Sequence, residues 1–199
     1  MFTRTAIGHR RSIRLPDFDY TEPGAYFVTL CTRDRRCVFG EVTQDSVRLT
    51  PVGEIVHEEW RRSSEVRAEV ELDGFAVMPN HIHGIVIING SRLRSGPRAH
   101  GRAPLHRQGR SLGALVAGFK AAVTSRINRL ADTPGAPLWQ RGYYEHIVRS
   151  NEELARIRQY IAENPGRWAE DSENPTVAQH VGAHGVRPGS RPAEPQPAT

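Results

Sequence analysis

The stretch FAVMPNHIHGIVII, Phe75 to Ile88, constrains the fold more than any other part of the chain. Pro79 and Asn80 are turn residues set between two apolar, β-branched runs, so the segment reads as an antiparallel hairpin. Side chains alternate along a strand, which sends His81 and His83 to one face and Ile82 to the other. The run after them, GIVII, has no polar alternation. Two neutral imidazoles on one face can share a divalent ion and leave open positions for a carboxamide, a carboxylate, water or a substrate phosphate. The competing reading is a pair of histidines on the solvent face of a hairpin.

Other elements follow from local signals. AYFVTLCTR, after Gly24, is strand-like in its aromatic and β-branched content, and CVFGEV and SVRLT read as a short hairpin. Thr50 followed by Pro51 starts a helix whose apolar face is Val52, Ile55, Val56 and Trp60. A strand begins near Val70. Ser111 caps a helix with Leu112, Leu115, Val116, Phe119, Val123, Ile127 and Leu130 on its buried side, and Ser150 with Glu153 forms a capping box for NEELARIRQYIAE, which stops before Pro165. The order strand, hairpin, helix, hairpin, helix, helix predicts an α+β sandwich with helices on one face of an antiparallel sheet and the other face free to bind.

Composition then narrows the partner. The 199 residues carry a net charge of +5, and no acidic residue occurs between Asp73 and Asp132. The hairpin, the following loop and the next helix therefore form an electropositive segment. Residues 89–110 are rich in Arg, Gly, Pro and Ser, a flexible surface loop carrying Arg92, Arg94, Arg98, Arg102, Arg107 and Arg110. With Lys120, the sole lysine, these are the expected phosphate contacts, and Arg33, Arg35 and Arg36 can add to them from the end of the first strand. A loop that simply stays solvated is the alternative. No membrane-spanning run and no apolar leader is present, and two cysteines are too few for a disulfide framework, so the expected compartment is the cytoplasm.

The last helix supplies a second constellation. Arg156, Tyr160 and Asn164 lie one above another beside the apolar stripe Leu154, Ile157 and Ile161. Tyr160 thus sits at the edge of the buried face, and the Asn164 carboxamide oxygen falls where a third metal ligand can stand. Both residues are also common as boundary and helix-end groups.

MPNHIHGIVII together with WQRGYYEHIVRSNEELARIRQYIAENP resembles the single-tyrosine HUH transposases, specifically the REP-associated tyrosine transposase branch, from about Arg14 to Trp168. The resemblance implies a ferredoxin-like fold with the histidine strand central in the sheet. It implies His81, His83 and Asn164 as ligands of Mg2+ or Mn2+, and Tyr160 as the nucleophile that forms a 5′-phosphotyrosine. The implied partner is single-stranded DNA beside a hairpin, bound by a monomer or a homodimer. Tyr143 and Tyr144 are rival nucleophiles, His146 a rival ligand, and Trp139 and Gln140 packing and positioning groups. The organisation expected is a catalytic domain over 14–168 with an Arg-rich insert at 89–110, and a disordered Pro/Gly-rich tail over 169–199. A non-cleaving binder of hairpin or single-stranded DNA is the principal alternative. A metal-dependent hydrolase of another ester, with Tyr160 only packing, is the third.

Overall fold

Three helix starts carry the side-chain caps that their sequences announce. In the computed structural model, which describes residues 22–89 and 111–177, Thr50 Oγ1 accepts from Gly53 N, Ser111 Oγ from Ala114 N and Ser150 Oγ from Glu153 N. Each satisfies one of the otherwise unpaired amides of a first turn. At the last of these the capping box is only half formed, because Glu153 Oε2 accepts from Arg149 N at 2.7 Å.

In chain order the elements are β1 (Gly24–Cys31), β2 (Gly40–Thr43), β3 (Ser46–Leu49), α1 (Pro51–Glu65), β4 (Val70–Val77), β5 (His81–Ile88), α2 (Leu112–Leu130), β6 (Tyr144–Val148) and α3 (Asn151–Glu163). The main sheet is antiparallel with strand order β4-β5-β1-β6, and β2 and β3 form a separate hairpin. Removing that hairpin leaves a β-α-β-β-α-β succession, the ferredoxin-like arrangement. β5 is central, where the family resemblance puts the His81–His83 strand.

Two features depart from expectation. β6 is absent from the sequence-derived element order, yet it completes the sheet by pairing Ala25 with Val148 through Thr29 with Tyr144. The helices also do not share one face. Tyr26, Val28, Leu30, Ile82 and Val86 pack under α1 and α2, while Phe27 and Ile85 pack against Ile157 and Ile161 of α3 on the opposite face. The histidines have the parity of Ile85, so the face expected to be free is the one α3 partly covers. β4 keeps Leu72 and Phe75 on the α1/α2 side despite their odd spacing, because a bulge between them resets the alternation.

Gly84 separates His83 from the rest of β5 and faces α1. A Cβ there would stand 2.3 Å from the Trp60 indole, itself stacked on Phe75 at 4.8 Å and edge-on to Phe119 at 5.3 Å. The ring is held on two sides and cannot yield. Gly84→Ala is expected to destabilise the fold by about 3 kcal/mol, read as a lower urea midpoint at unchanged slope. An unshifted midpoint would mean that α1 can slide away from the sheet.

Among the described residues no helix is long and apolar enough to cross a membrane. The Arg-rich insert beyond Asn89, with Arg92, Arg94, Arg98, Arg102, Arg107 and Arg110, lies outside the described residues, as do residues 178–199. The chain from Trp168 to Val177 does not match the expected tail. Asn174 is buried, its Nδ2 donates to Trp168 O at 2.8 Å, and Arg35 holds Ser172 O at 3.0 Å and the Glu173 carboxylate at 3.2 Å. Order continues past Trp168 because polar side chains fasten the segment where composition shows nothing to bury.

Candidate active site

The Pro79-Asn80 turn delivers β5 into the sheet with His81 and His83 on the α3 side, both essentially without solvent exposure. Their Nε2 atoms converge to 3.0 Å. That separation is close to the spacing of two neighbouring ligands on one ion at about 2.1 Å each. Burial holds both imidazoles neutral, pushing His83 down to about 3 and His81 well below the ordinary histidine range. Neutral imidazole is the form that ligates metal. The far nitrogens are also held: His83 Nδ1 lies 2.9 Å from Thr29 Oγ1, and His81 Nδ1 lies 2.8 Å from Asn80 Oδ1.

α3 contributes Tyr160 and, one turn on, Asn164. The Tyr160 ring stands edge-on to His83 at 5.3 Å and to Phe27 at 6.0 Å. Burial, with the Asp171 carboxylate nearby, pushes its phenol up to about 12. Asn164 is 3% exposed and closes the helix. Its carboxamide interacts with both Tyr160 and Asp171, favouring the ionised form of each. The 3-10 turn Pro165–Glu170 then reverses the chain and places Asp171 Oδ2 3.7 Å from His81 Nε2.

Asp171 is the residue that sequence reasoning missed. One ligand atom each from His81, His83 and Asp171 fall within 4.8 Å of one another, a metal-compatible cluster. Asn164 Oδ1 and Asp171 Oδ2 are buried without a hydrogen-bond partner among the described residues, and burial raises the Asp171 carboxyl. Buried acceptors left unpaired are costly, and a cation beside the histidines would satisfy the Asp171 oxygen. Two neutral imidazoles with one carboxylate oxygen make a donor set that suits a divalent ion. The signal in the sequence is slight: Asp171 Oδ1 accepts from Glu173 N at 2.6 Å, an Asx turn in a segment whose composition reads as a tail. Asp171→Ala should weaken Mn2+ binding by at least about tenfold in calorimetric titration. Unchanged affinity would restrict the oxygen donors to Asn164.

The remaining candidates fall in different places. Tyr143 and Tyr144 point to opposite faces, Tyr143 against the α1/α2 core and Tyr144 against Phe27 on the histidine side. Thr29 pairs with both Tyr144 and His83, so Tyr144 is one strand removed from the metal-compatible pair. His146 contacts Glu153 at 2.7 Å and is not in the cluster. Trp139 packs on Phe39 and Phe119 and donates Nε1–H to Lys120 O, while Gln140 N donates to Cys31 O. Lys120 departs from its expected phosphate contact: its ammonium donates to Gln140 O at 3.1 Å and Gly142 O at 2.6 Å, and burial lowers it to about 8. Of the three arginines after β1, Arg33 and Arg36 are exposed and Arg35 is engaged with Ser172 and Glu173.

No family model matches the chain. An uncharacterized protein of Haemophilus influenzae is 36% identical to it over 169 residues, spanning 83% of this chain and 93% of that protein. Among solved structures, that of a REP-associated tyrosine transposase bound to a REP hairpin superposes with a TM-score of 0.54 at 19% identity, covering 88% of this chain and 89% of the other. The chain belongs to one family with the Haemophilus influenzae protein, and its fold is that of the REP-associated tyrosine transposase.

Proposed function

We propose that this protein is a transposase of the single-tyrosine kind that cleaves and rejoins single-stranded DNA beside a hairpin. The observation that carries the reading is the meeting of two elements remote in sequence. Tyr160 stands edge-on to His83, with Asn164 on the next turn of the same helix, where the two imidazole Nε2 atoms converge. The same fold in a protein bound to a REP hairpin supports hairpin DNA as the partner class, and the net charge of +5 suits a polyanion.

In this reading His81, His83, Asn164 and Asp171 hold a divalent ion, Mg2+ or Mn2+. When bound, that ion supplies polarisation of the scissile phosphate and neutralises the charge that develops on it. The protein's own groups do the rest. Tyr160 Oη attacks phosphorus, the bond from phosphorus to the 3′-oxygen breaks, and the phenol proton is balanced by protonation of the released 3′-hydroxyl. The 5′-phosphate remains on Tyr160. A second 3′-hydroxyl can reverse the step onto a new strand, so no nucleotide cofactor is consumed. A phenol pushed up to about 12 is protonated at neutral pH, so Tyr160 must give up its proton as the new bond forms. The expected setting is the cytoplasm, where DNA is within reach.

The test is incubation of the full chain with labelled single-stranded DNA containing palindromic hairpins, with Mn2+ or with chelator, followed by denaturing electrophoresis. A metal-dependent covalent species is expected. Salt-sensitive binding with no such species for any hairpin would overturn strand transfer and leave a non-cleaving hairpin binder.

A further inference from the structure

Two imidazole nitrogens 3.0 Å apart in a buried, neutral pair require one to donate and the other to accept. Neighbouring side chains decide which. Asn80 has no solvent exposure, and its Nδ2 lies 3.1 Å from Arg35 O and 2.7 Å from Glu173 O. Both amide hydrogens are therefore used on carbonyls. A flipped carboxamide would set its oxygen against those two carbonyl oxygens, so Oδ1 must be the atom facing His81 Nδ1 at 2.8 Å. An amide oxygen only accepts, hence His81 Nδ1 carries the hydrogen and His81 Nε2 presents its lone pair. His83 Nε2 is then the donor across the 3.0 Å contact, and His83 Nδ1 accepts from the Thr29 hydroxyl at 2.9 Å.

We propose that Asn80 is a positioning residue that fixes His81 in its Nδ1–H tautomer, and that Thr29 is the reversible partner through which His83 changes tautomer when the site is loaded. The proposal rests on the metal-site reading of the histidine pair. A ligand at both Nε2 atoms needs both lone pairs, so His83 must give up its Nε2 hydrogen and carry one at Nδ1. Thr29 can meet either state, because a hydroxyl donates to a bare Nδ1 and accepts from Nδ1–H. The hydrogen lost at one nitrogen is regained at the other, so loading releases no net proton from the pair. Asn80 cannot follow such a change, and that asymmetry keeps His81 ready while His83 adjusts. The same carboxamide fastens Arg35 and Glu173, so the orientation of the first ligand is tied to the segment that carries Asp171.

The experiment is long-range proton–nitrogen correlation NMR on full-length protein labelled at histidine, first metal-free and then with Zn2+ as a diamagnetic probe, alongside Mn2+ titration. The wild type should show a protonated Nδ1 on His81 and a protonated Nε2 on His83, with the His83 pattern reversing on Zn2+ addition. Asn80→Ala should lose the single His81 tautomer and bind Mn2+ about ten- to a hundredfold more weakly. Asn80→Asp keeps an acceptor for His81 Nδ1–H but loses both donors to Arg35 and Glu173. It should melt at a lower temperature yet bind Mn2+ within a few-fold of wild type, a rescue that a merely structural role does not produce. A wild-type His81 protonated at Nε2, or an Asn80→Ala protein with unaltered tautomer and affinity, overturns the proposal. Failure of the wild type to bind either ion would sink the metal reading and Thr29's part in loading, while the metal-free spectrum still decides what Asn80 does.

Discussion

Tyr160→Phe is expected to lower covalent adduct formation by about a thousandfold or more while leaving hairpin DNA binding within a few-fold of wild type. Loss of one oxygen leaves the ring in its edge-on contacts with Phe27 and His83, so the fold and the imidazole pair are undisturbed. The nucleophile is gone, together with the hydroxyl's interaction with the Asn164 carboxamide. Tyr143→Phe and Tyr144→Phe are the necessary comparisons, and they are unequal controls. Tyr143 faces the α1/α2 core across the sheet from the histidines, so its hydroxyl has no route to a phosphate seated on them. Tyr144 is on the histidine side, separated from His83 by Thr29 in the sheet register. An adduct that survives Tyr160→Phe and disappears in Tyr144→Phe would move the nucleophile to the edge strand and make α3 a packing element.

How much of this was legible in the sequence depended on the range of the interaction. The alternation of His81 and His83 and the helical spacing of Tyr160 and Asn164 are local, and both were readable before any fold was known. The central position of β5 came from the family resemblance that MPNHIHGIVII carries, not from its apolar run alone. β6 was not legible, because YEHIV is half polar and becomes a strand only by pairing with β1. Nor could an amphipathic stripe on α3 say which face of the sheet it would cover. Asp171 shows the same limit at the site itself. Its place beside His81 depends on Asn80, Arg35 and Asn174 fastening a segment that has little apolar content, and such polar fastening leaves almost no periodic trace. Lys120 shows the converse: a lone lysine in an electropositive stretch invites a phosphate, yet the loop Gln140–Gly142 folds its carbonyls onto it first.

The buried pair also predicts how the fold fails in acid. His81 and His83 lie below the ordinary 6.5 in the native protein, His83 at about 3, through loss of hydration. In the unfolded chain each takes up a proton as the pH falls through 6.5, and the native state cannot follow. Their contribution is therefore complete above that value and is lost progressively toward pH 3. For His83 alone the slope is about 1.4 kcal/mol per pH unit once the unfolded residue is fully charged, and His81 adds to it in the same direction. Carboxylates enter lower down, and two of them have opposite signs. Asp171, raised by burial, takes its proton earlier in the native state and offsets part of the loss near pH 4, whereas Asp73, lowered by its bonds from Arg158, adds to the loss as it protonates. Between about pH 7 and pH 5 the buried pair leads among the described groups with shifted titration, so urea midpoints for metal-free protein should fall steeply across that window. A His81→Gln, His83→Gln double variant should show a flattened profile, even if its plateau is lower. An equally steep profile in the double variant would assign the acid sensitivity to other groups and would mean that the imidazoles gain access to water before the sheet opens.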